Sequence, residues 1–272
     1  MALLQNKTVF ITGATRGIGR SMALRFAEEG ANIVVTGKSS VPHPKLPGTI
    51  HTVAEEVEKL GAKALALKLD VRDADAIEKV MAQAAAHFGS LDVLVNNASA
   101  INLTNTQDTE MKRFDLMMSV NVRATFACSR AAIPYLAKAS NPHILNMSPP
   151  LNMEAKWFKD HLAYTYSKYG MSICTLGMAE EFKSLGIAVN SLWPRTTIAT
   201  AAIAVHFPEH ILQASRDPRI VADAALQVIS QDSRKVSGHF FIDEEVLREA
   251  GVSDFSGYAK VTNAELCPDL FL

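Results

Sequence analysis

Short apolar runs alternate with longer amphipathic stretches along the whole chain. The runs at residues 8–12, 32–36, 64–68, 93–96, 143–147, 188–193 and 239–242 are β-branched and mostly continuously apolar, the pattern of strands covered on both faces. Between them, residues 18–29, 51–60, 74–88, 111–136, 161–183 and 220–230 read as helices. Strand–helix alternation predicts βαβ units, and hence an α/β fold with a doubly wound, seven-stranded parallel sheet and helices on both faces. No linker-like shift in composition divides the chain, so residues 1–272 are expected to form a single domain.

Two stretches break this rhythm. Residues 37–49 (GKSSVPHPKLPGT) carry three prolines and cannot form a long regular element. Residues 195–218 follow the sixth strand. A connection this long near a sheet's C-terminal edge is read either as functional or as a surface insertion.

Composition narrows the classes further. With 48% hydrophobic and 20% charged residues the chain can bury a core and is not disordered. The net charge of −1 gives no electrostatic case for nucleic acid or an anionic membrane as partner. No apolar run approaches the roughly 18 residues of a membrane span. The start, MALLQNKTVFITG, lacks a basic segment ahead of an apolar one, so no secretory signal is expected. Cys128, Cys174 and Cys267 are odd in number and lack CxxC spacing. They are expected as reduced thiols, consistent with the cytoplasm. His43, His143, His161 and His206 are dispersed, and no metal site is expected.

Only 14 glycines occur, which makes their clustering informative. The first strand runs into Gly13-Ala-Thr-Arg-Gly17-Ile-Gly19, and a helix begins there. Gly13 permits a sharp turn. Gly17 and Gly19 let a pyrophosphate approach the unpaired backbone donors of the helix N-terminus.

Here the sequence resembles the short-chain dehydrogenase/reductase family. Thr12–Gly19 (TGATRGIG) matches its TGxxxGxG, Asn96-Asn97-Ala98-Ser99 its NNAG with serine for the last glycine, and Tyr164–Lys168 (YTYSK) its YxxxK. These motifs stand in family order over nearly the whole chain. The segments PHPKLPGTI, LNMSPPLN and AVNSLWPRT are similar to a narrower group, the hydroxysteroid dehydrogenase-like 2 proteins. Animal members of that group carry an added sterol-carrier domain, which is not expected in these 272 residues. The resemblance implies a Rossmann fold and a nicotinamide cofactor held by Gly13, Thr15, Arg16, Gly17, Ile18 and Gly19 of the turn. It adds Lys38, Asp70 and Val71, Asn97 and Ala98, Tyr164 and Lys168, and Pro194 and Ile198.

The end of the second strand selects between cofactors. A carboxylate there accepts from a ribose 2′-OH, whereas a cation pairs with a 2′-phosphate. Gly37 stands at the acidic position, Lys38 follows, and Arg16 supplies a second cation, which predicts NADP(H). Asp70 resembles the family residue that binds the adenine amino group. Its other reading is a helix cap, for which Asp73 is better placed.

Tyr164 and Lys168 are four apart and share a helix face. A free phenol titrates near about 10, and a neighbouring ammonium lowers that value. Tyr164 is expected to be the general acid/base, with Lys168 also holding the nicotinamide ribose. Asn121 falls where the family carries a catalytic asparagine that anchors a water beside the lysine. Tyr166 is set aside because Gly170, four residues on, is no base.

Two departures stand out. The family's catalytic serine aligns with Pro149, and Ser148 lies one residue earlier, on the other face of a strand. Either the double proline turns Ser148 inward as a catalytic donor, or its hydroxyl serves the backbone at a strand end. Loss of such a donor typically costs about 100- to 1000-fold in rate. A catalytically weak nucleotide-binding regulator or scaffold is therefore the competing expectation. Arg195 replaces the glycine of the family's PG; it either points to substrate or a phosphate or is a solvated cation.

Residues 151–160 and 196–218, with Met153, Trp157, Phe158, Ile203, Val205 and Phe207, are expected to frame an apolar pocket for a small lipophilic carbonyl or alcohol. The resemblance further implies a homodimer or homotetramer built through residues 111–136 and 161–183.

Overall fold

Seven strands form where the apolar runs stand: β1 (Thr8–Ile11), β2 (Asn32–Gly37), β3 (Ala64–Lys68), β4 (Val93–Asn96), β5 (His143–Asn146), β6 (Ala188–Trp193) and β7 (Phe240–Ile242). They make one all-parallel sheet in the order β3-β2-β1-β4-β5-β6-β7. This is a Rossmann-type sheet, and its order reverses between β1 and β4, where a crevice opens at the strands' C-terminal ends. A computed structural model supplies these coordinates and describes residues 2–44, 46–261 and 264–272; the His206 side chain lies outside the description.

Alternation along the strands splits the core. Val9 and Ile11 of β1 and Ile33 and Val35 of β2 face one side, under α1 (Gly17–Glu28) and α2 (Ile50–Lys59). Phe10 and Val34 face the other, under α3 (Ala74–Phe88). Successive strand side chains point to opposite faces, so continuously apolar runs are what a doubly covered sheet requires. Thr49 and Thr52 cap α2 reciprocally, and Asp73 caps α3 through Ala76 N at 3.0 Å.

The stretch 111–136, expected as one helix, is interrupted. It forms α4 (Met111–Met117), a π-helical turn (Met118–Arg123) and α5 (Ala124–Leu136). A π-turn is rare and tends to mark a functional position, and this one contains Asn121. The chain continues through the short α6 (Lys156–Lys159) and α7 (Leu162–Glu181). The segment 195–218 is not simply a loop: it holds the short helices α8 (Ala201–His206) and α9 (Glu209–Gln213). Then α10 (Arg219–Ile229) covers the same sheet face as α1, and α11 (Asp243–Glu249) follows β7.

A third apolar cluster lies outside both core faces. It joins Met117, Ala163, Tyr164, Tyr169, Trp193, Ile242 and Phe271. It contains Tyr164 of α7 and is packed by Ala100, Ile101 and Leu103 of the loop after β4.

Candidate active site

The glycine turn sits at the C-terminal end of β1. Gly13 has φ +67°, and a Cβ there would come within 2.9 Å of Ala98 Cα; at Gly19 it would meet Gly13 O at 2.5 Å. Only glycine allows this approach. Arg16 precedes α1 with no side chain capping the helix, so backbone donors of the first turn remain for an anion. A groove of about 630 Å³ runs past this turn, lined by Arg16, Gly17, Arg20 and Thr200 among others. The turn thus fits a pyrophosphate, while the groove continues along α1 and α10 past Ser21, Leu24 and Asp223 and does not reach Tyr164 or Lys168. Thr15 is buried and Ile18 half-buried within the turn.

Asn97 ties the second motif to the first. Its amide donates to Thr12 O at 2.9 Å and Gly13 O at 3.0 Å, while Ala98 N donates to the Thr12 hydroxyl at 3.0 Å. Asn97 and Ala98 thereby stand beside the phosphate turn. Asn96 instead points into the core, donating to Asn146 and Ser129.

At the end of β2, the Arg16 guanidinium donates to Pro47 O at 2.9 Å, Ser39 Oγ at 3.0 Å and Gly48 O at 3.3 Å. Ser39, Pro47 and Gly48 of the proline-rich stretch therefore lie against the turn. Lys38 is exposed and pairs with Asp70 at 3.4 Å; Arg72 pairs with the same carboxylate at 2.6 Å. Hydrogen bonding from Arg72 holds the Asp70 carboxyl well below the usual carboxylate range. Val71 is buried beside it.

Tyr164 and Lys168 lie one turn apart on α7, both buried. Lys168 Nζ donates to Met147 O at 2.7 Å and lies 5.0 Å from the centre of the Trp193 ring. Burial pushes this amine down to about 7, with Asp269 pulling the other way. The sequence expectation of a lowered phenol does not hold in this arrangement. Burial first, and then the Asp269 charge, push Tyr164 up. Asp269 itself is lifted to about 7, chiefly by burial. Among the described residues, no hydrogen bond engages the Tyr164 hydroxyl.

Asn121 is fully buried. Its Oδ1 accepts from Ala100 N at 2.8 Å and from Ser99 Oγ at 3.2 Å; its Nδ2 donates to Ala100 O and Ser167 Oγ, each at 2.9 Å. Its side chain thus joins the π-turn, the loop after β4 and α7. Ser99, which replaces a glycine, supplies one of these bonds.

Ser148 is buried too, but its hydroxyl lies 2.8 Å from Ser191 Oγ. Ser191 in turn meets Thr175 at 2.7 Å, and Thr175 accepts from Asn146. This is a chain of hydroxyl and amide groups between β5, β6 and α7. Arg195 donates its backbone N–H to Asp243 at 2.8 Å and pairs its side chain with Glu245. The cation reading is therefore the one realised. Pro194 and Ile198 are buried on either side of it, and Thr196 Oγ1 is buried with no partner. That orphaned hydroxyl is a group a polar ligand would satisfy.

Of the expected apolar frame, Trp157 and Phe158 join the third cluster, whereas Met153 and Val205 are exposed. Leu270, Phe271 and Leu272, which carry no motif, also join this cluster. Among the described residues no group of three or more acids, histidines or cysteines could hold a metal, and no helix is long and apolar enough to cross a membrane.

The family model for short chain dehydrogenase matches residues 7–207. The hydroxysteroid dehydrogenase-like protein 2 of Homo sapiens is 54% identical over 265 residues, 97% of this chain but 63% of the relative. The chain therefore spans somewhat less than two thirds of that relative. The crystal structure of a putative dehydrogenase from Xanthomonas campestris superposes with a TM-score of 0.95 at 50% identity, covering 99% of this chain and 98% of that one. A short chain dehydrogenase from Mycobacterium thermoresistibile gives 0.93 at 46% identity, covering 99% and 96%.

Proposed function

The chain belongs to the short-chain dehydrogenase/reductase family, and from that premise we propose that it is an NADP(H)-dependent oxidoreductase acting on a carbonyl or secondary alcohol of a small lipophilic molecule. The observation that carries this reading is the pair Tyr164 and Lys168, buried one turn apart at the end of the sheet that also holds the glycine turn. When bound, the nicotinamide supplies or accepts the hydride.

The protein's own groups do the rest. Tyr164 is held in its protonated form by burial, the form that donates a proton to a carbonyl oxygen during reduction. Lys168, buried beside Tyr164, would hold the ribose hydroxyls of a bound nicotinamide cofactor and assist proton movement at the phenol. Asn121 acts through position, fixing the loop of Ser99 and Ala100 against α7. Arg16 and Lys38, with Gly37 in place of an acid, favour a 2′-phosphate. The apolar cluster around Tyr164 supports a lipophilic substrate. We extend the reading to a cytoplasmic homo-oligomer.

Tyr164→Phe tests the central claim. It is expected to lower kcat by about 100- to 10,000-fold on an aliphatic and cyclic ketone panel with NADPH, and a parallel NADPH titration separates lost chemistry from weakened cofactor binding. One observation favours a second reading: Ser148 is committed to Ser191, and Pro149 has no donor. NADPH binding without turnover by the wild type on that panel would favour a nucleotide-binding regulator or scaffold.

A further inference from the structure

The irregular segment between β2 and α2 is closed at its base and lies on the glycine turn. Ile50 N donates to Ser39 O at 2.9 Å, which brings the start of the segment against its end. Gly48 has φ +78°, and a Cβ there would run into Thr15 O. Only glycine allows that approach. Thr49 then caps α2, so the far end of the segment is anchored on a helix.

This closure makes a cradle for one side chain. Arg16 is half-buried and donates from Nε to Pro47 O at 2.9 Å, and from Nη2 to Ser39 Oγ at 3.0 Å and Gly48 O at 3.3 Å. All three acceptors are uncharged, so the guanidinium is fixed without being neutralised. Among the described residues its Nη1 has no partner, which leaves both N–H donors of that nitrogen over. Its neighbours differ: Arg20 is paired with Glu56 at 2.7 Å and Arg72 with Asp70 at 2.6 Å. Arg16 and Pro47 both line the groove that runs past the turn. A fixed cation with a free donor edge beside open space is suited to a phosphate.

We infer that Ser39, Pro47 and Gly48 are positioning residues for cofactor selection: they hold the Arg16 guanidinium at the end of β2, where a 2′-phosphate distinguishes NADP(H) from NAD(H). The inference rests on the reading of NADP(H) as the cofactor. Immobilising a long side chain on binding typically costs about 2- to 12-fold in affinity, and the cradle meets that cost before the ligand arrives. Lys38, exposed and paired with Asp70 at 3.4 Å, supplies charge without this fixing.

Calorimetric titration of the full chain with adenosine 2′,5′-bisphosphate and with AMP reads the 2′-phosphate contribution apart from turnover. Ser39→Ala is expected to weaken the bisphosphate about 2- to 12-fold and to leave AMP unchanged, and Ser39→Thr to restore the loss. In an Arg16→Ala background Ser39→Ala should have no further effect, because its role is exercised through that side chain. Arg16→Lys keeps the charge but not the planar fork, and should also lose preference for the bisphosphate. Gly48→Ala should lower it as well; if that variant fails to fold, Ser39→Ala carries the comparison. Bisphosphate binding that is unchanged or tighter in Ser39→Ala overturns the inference. A loss that persists undiminished without Arg16 assigns Ser39 a contact of its own with the phosphate and overturns it too. If wild type binds the two nucleotides alike, the NADP(H) reading fails and the inference with it; a wild-type preference that Ser39→Ala keeps in full overturns the inference alone.

Discussion

Arg16 reaches the end of β2 by crossing from the glycine turn, and it meets Ser39, Pro47 and Gly48 there. Its neighbour Lys38 is tethered only by an exposed pair with Asp70, which is worth little by itself. Lys38 is therefore available to an anion at modest cost, and Arg16 is held at the same end of β2 by its bonds to Ser39, Pro47 and Gly48. Arg16→Ala and Lys38→Ala are each expected to weaken NADP binding about 10- to 100-fold, the worth of a hydrogen bond to a charged group, and to leave NAD binding nearly unchanged. Separate titrations of the two cofactors check this. At this scale the sequence is legible wherever one local element sets the geometry. Tyr164 and Lys168 follow from helical spacing, and the glycines from backbone conformation. It is not legible where the partner comes from elsewhere in the chain. The direction of the Ser148 hydroxyl depends on Ser191, 43 residues on. The charge that raises Tyr164 comes from Asp269, which no motif marks.

The elements follow from the apolar pattern because period and burial agree in them. All seven strands stand at the expected runs, and α3 matches its expected bounds, starting at the Asp73 cap. The interruption of 111–136 is not visible in the pattern, because a single π-helical turn within a long helical stretch has no composition of its own. Its reason is at the site, where Asn121 must meet the backbone of Ala100. β5 also begins with a polar residue in a buried place. His143 shares a hydrogen bond at 3.1 Å with Gln231 O, and burial pushes its imidazole down to about 4. A group whose folded pKa is depressed stabilises the fold above its unfolded value and loses that contribution as pH falls through the folded one. Between pH about 6.5 and about 4 this histidine is expected to remove about 3 kcal/mol of stability. Urea unfolding across that range measures the loss, and His143→Gln should flatten it.

At the scale of the whole molecule, α5 and α7 are neighbours on one face and leave apolar side chains in solvent: Phe126 is 55%, Ile173 59% and Leu176 47% exposed. Adjacent apolar groups on a surface mark an interaction site, and a second copy of the chain is the occupant proposed above. Ile173→Asp is expected to shift a dimer or tetramer toward monomer in analytical ultracentrifugation, because a buried unpaired carboxylate is costly at an interface. The site itself draws on residues from Thr12 to Phe271, assembled by a sheet whose order is not the order of the chain. Phe271 and its neighbours come after every strand in the chain and pack beside Tyr164 from outside the sheet. Opening of that segment breaks the bonds of Thr197 to Cys267, Asp269 to Arg195 and Trp193 to Leu270, yet leaves each strand ladder intact. Such a unit unfolds locally at a smaller free energy than the sheet. Its backbone amides are then expected to exchange with solvent ahead of those in the strands, a difference that residue-resolved hydrogen exchange reads directly.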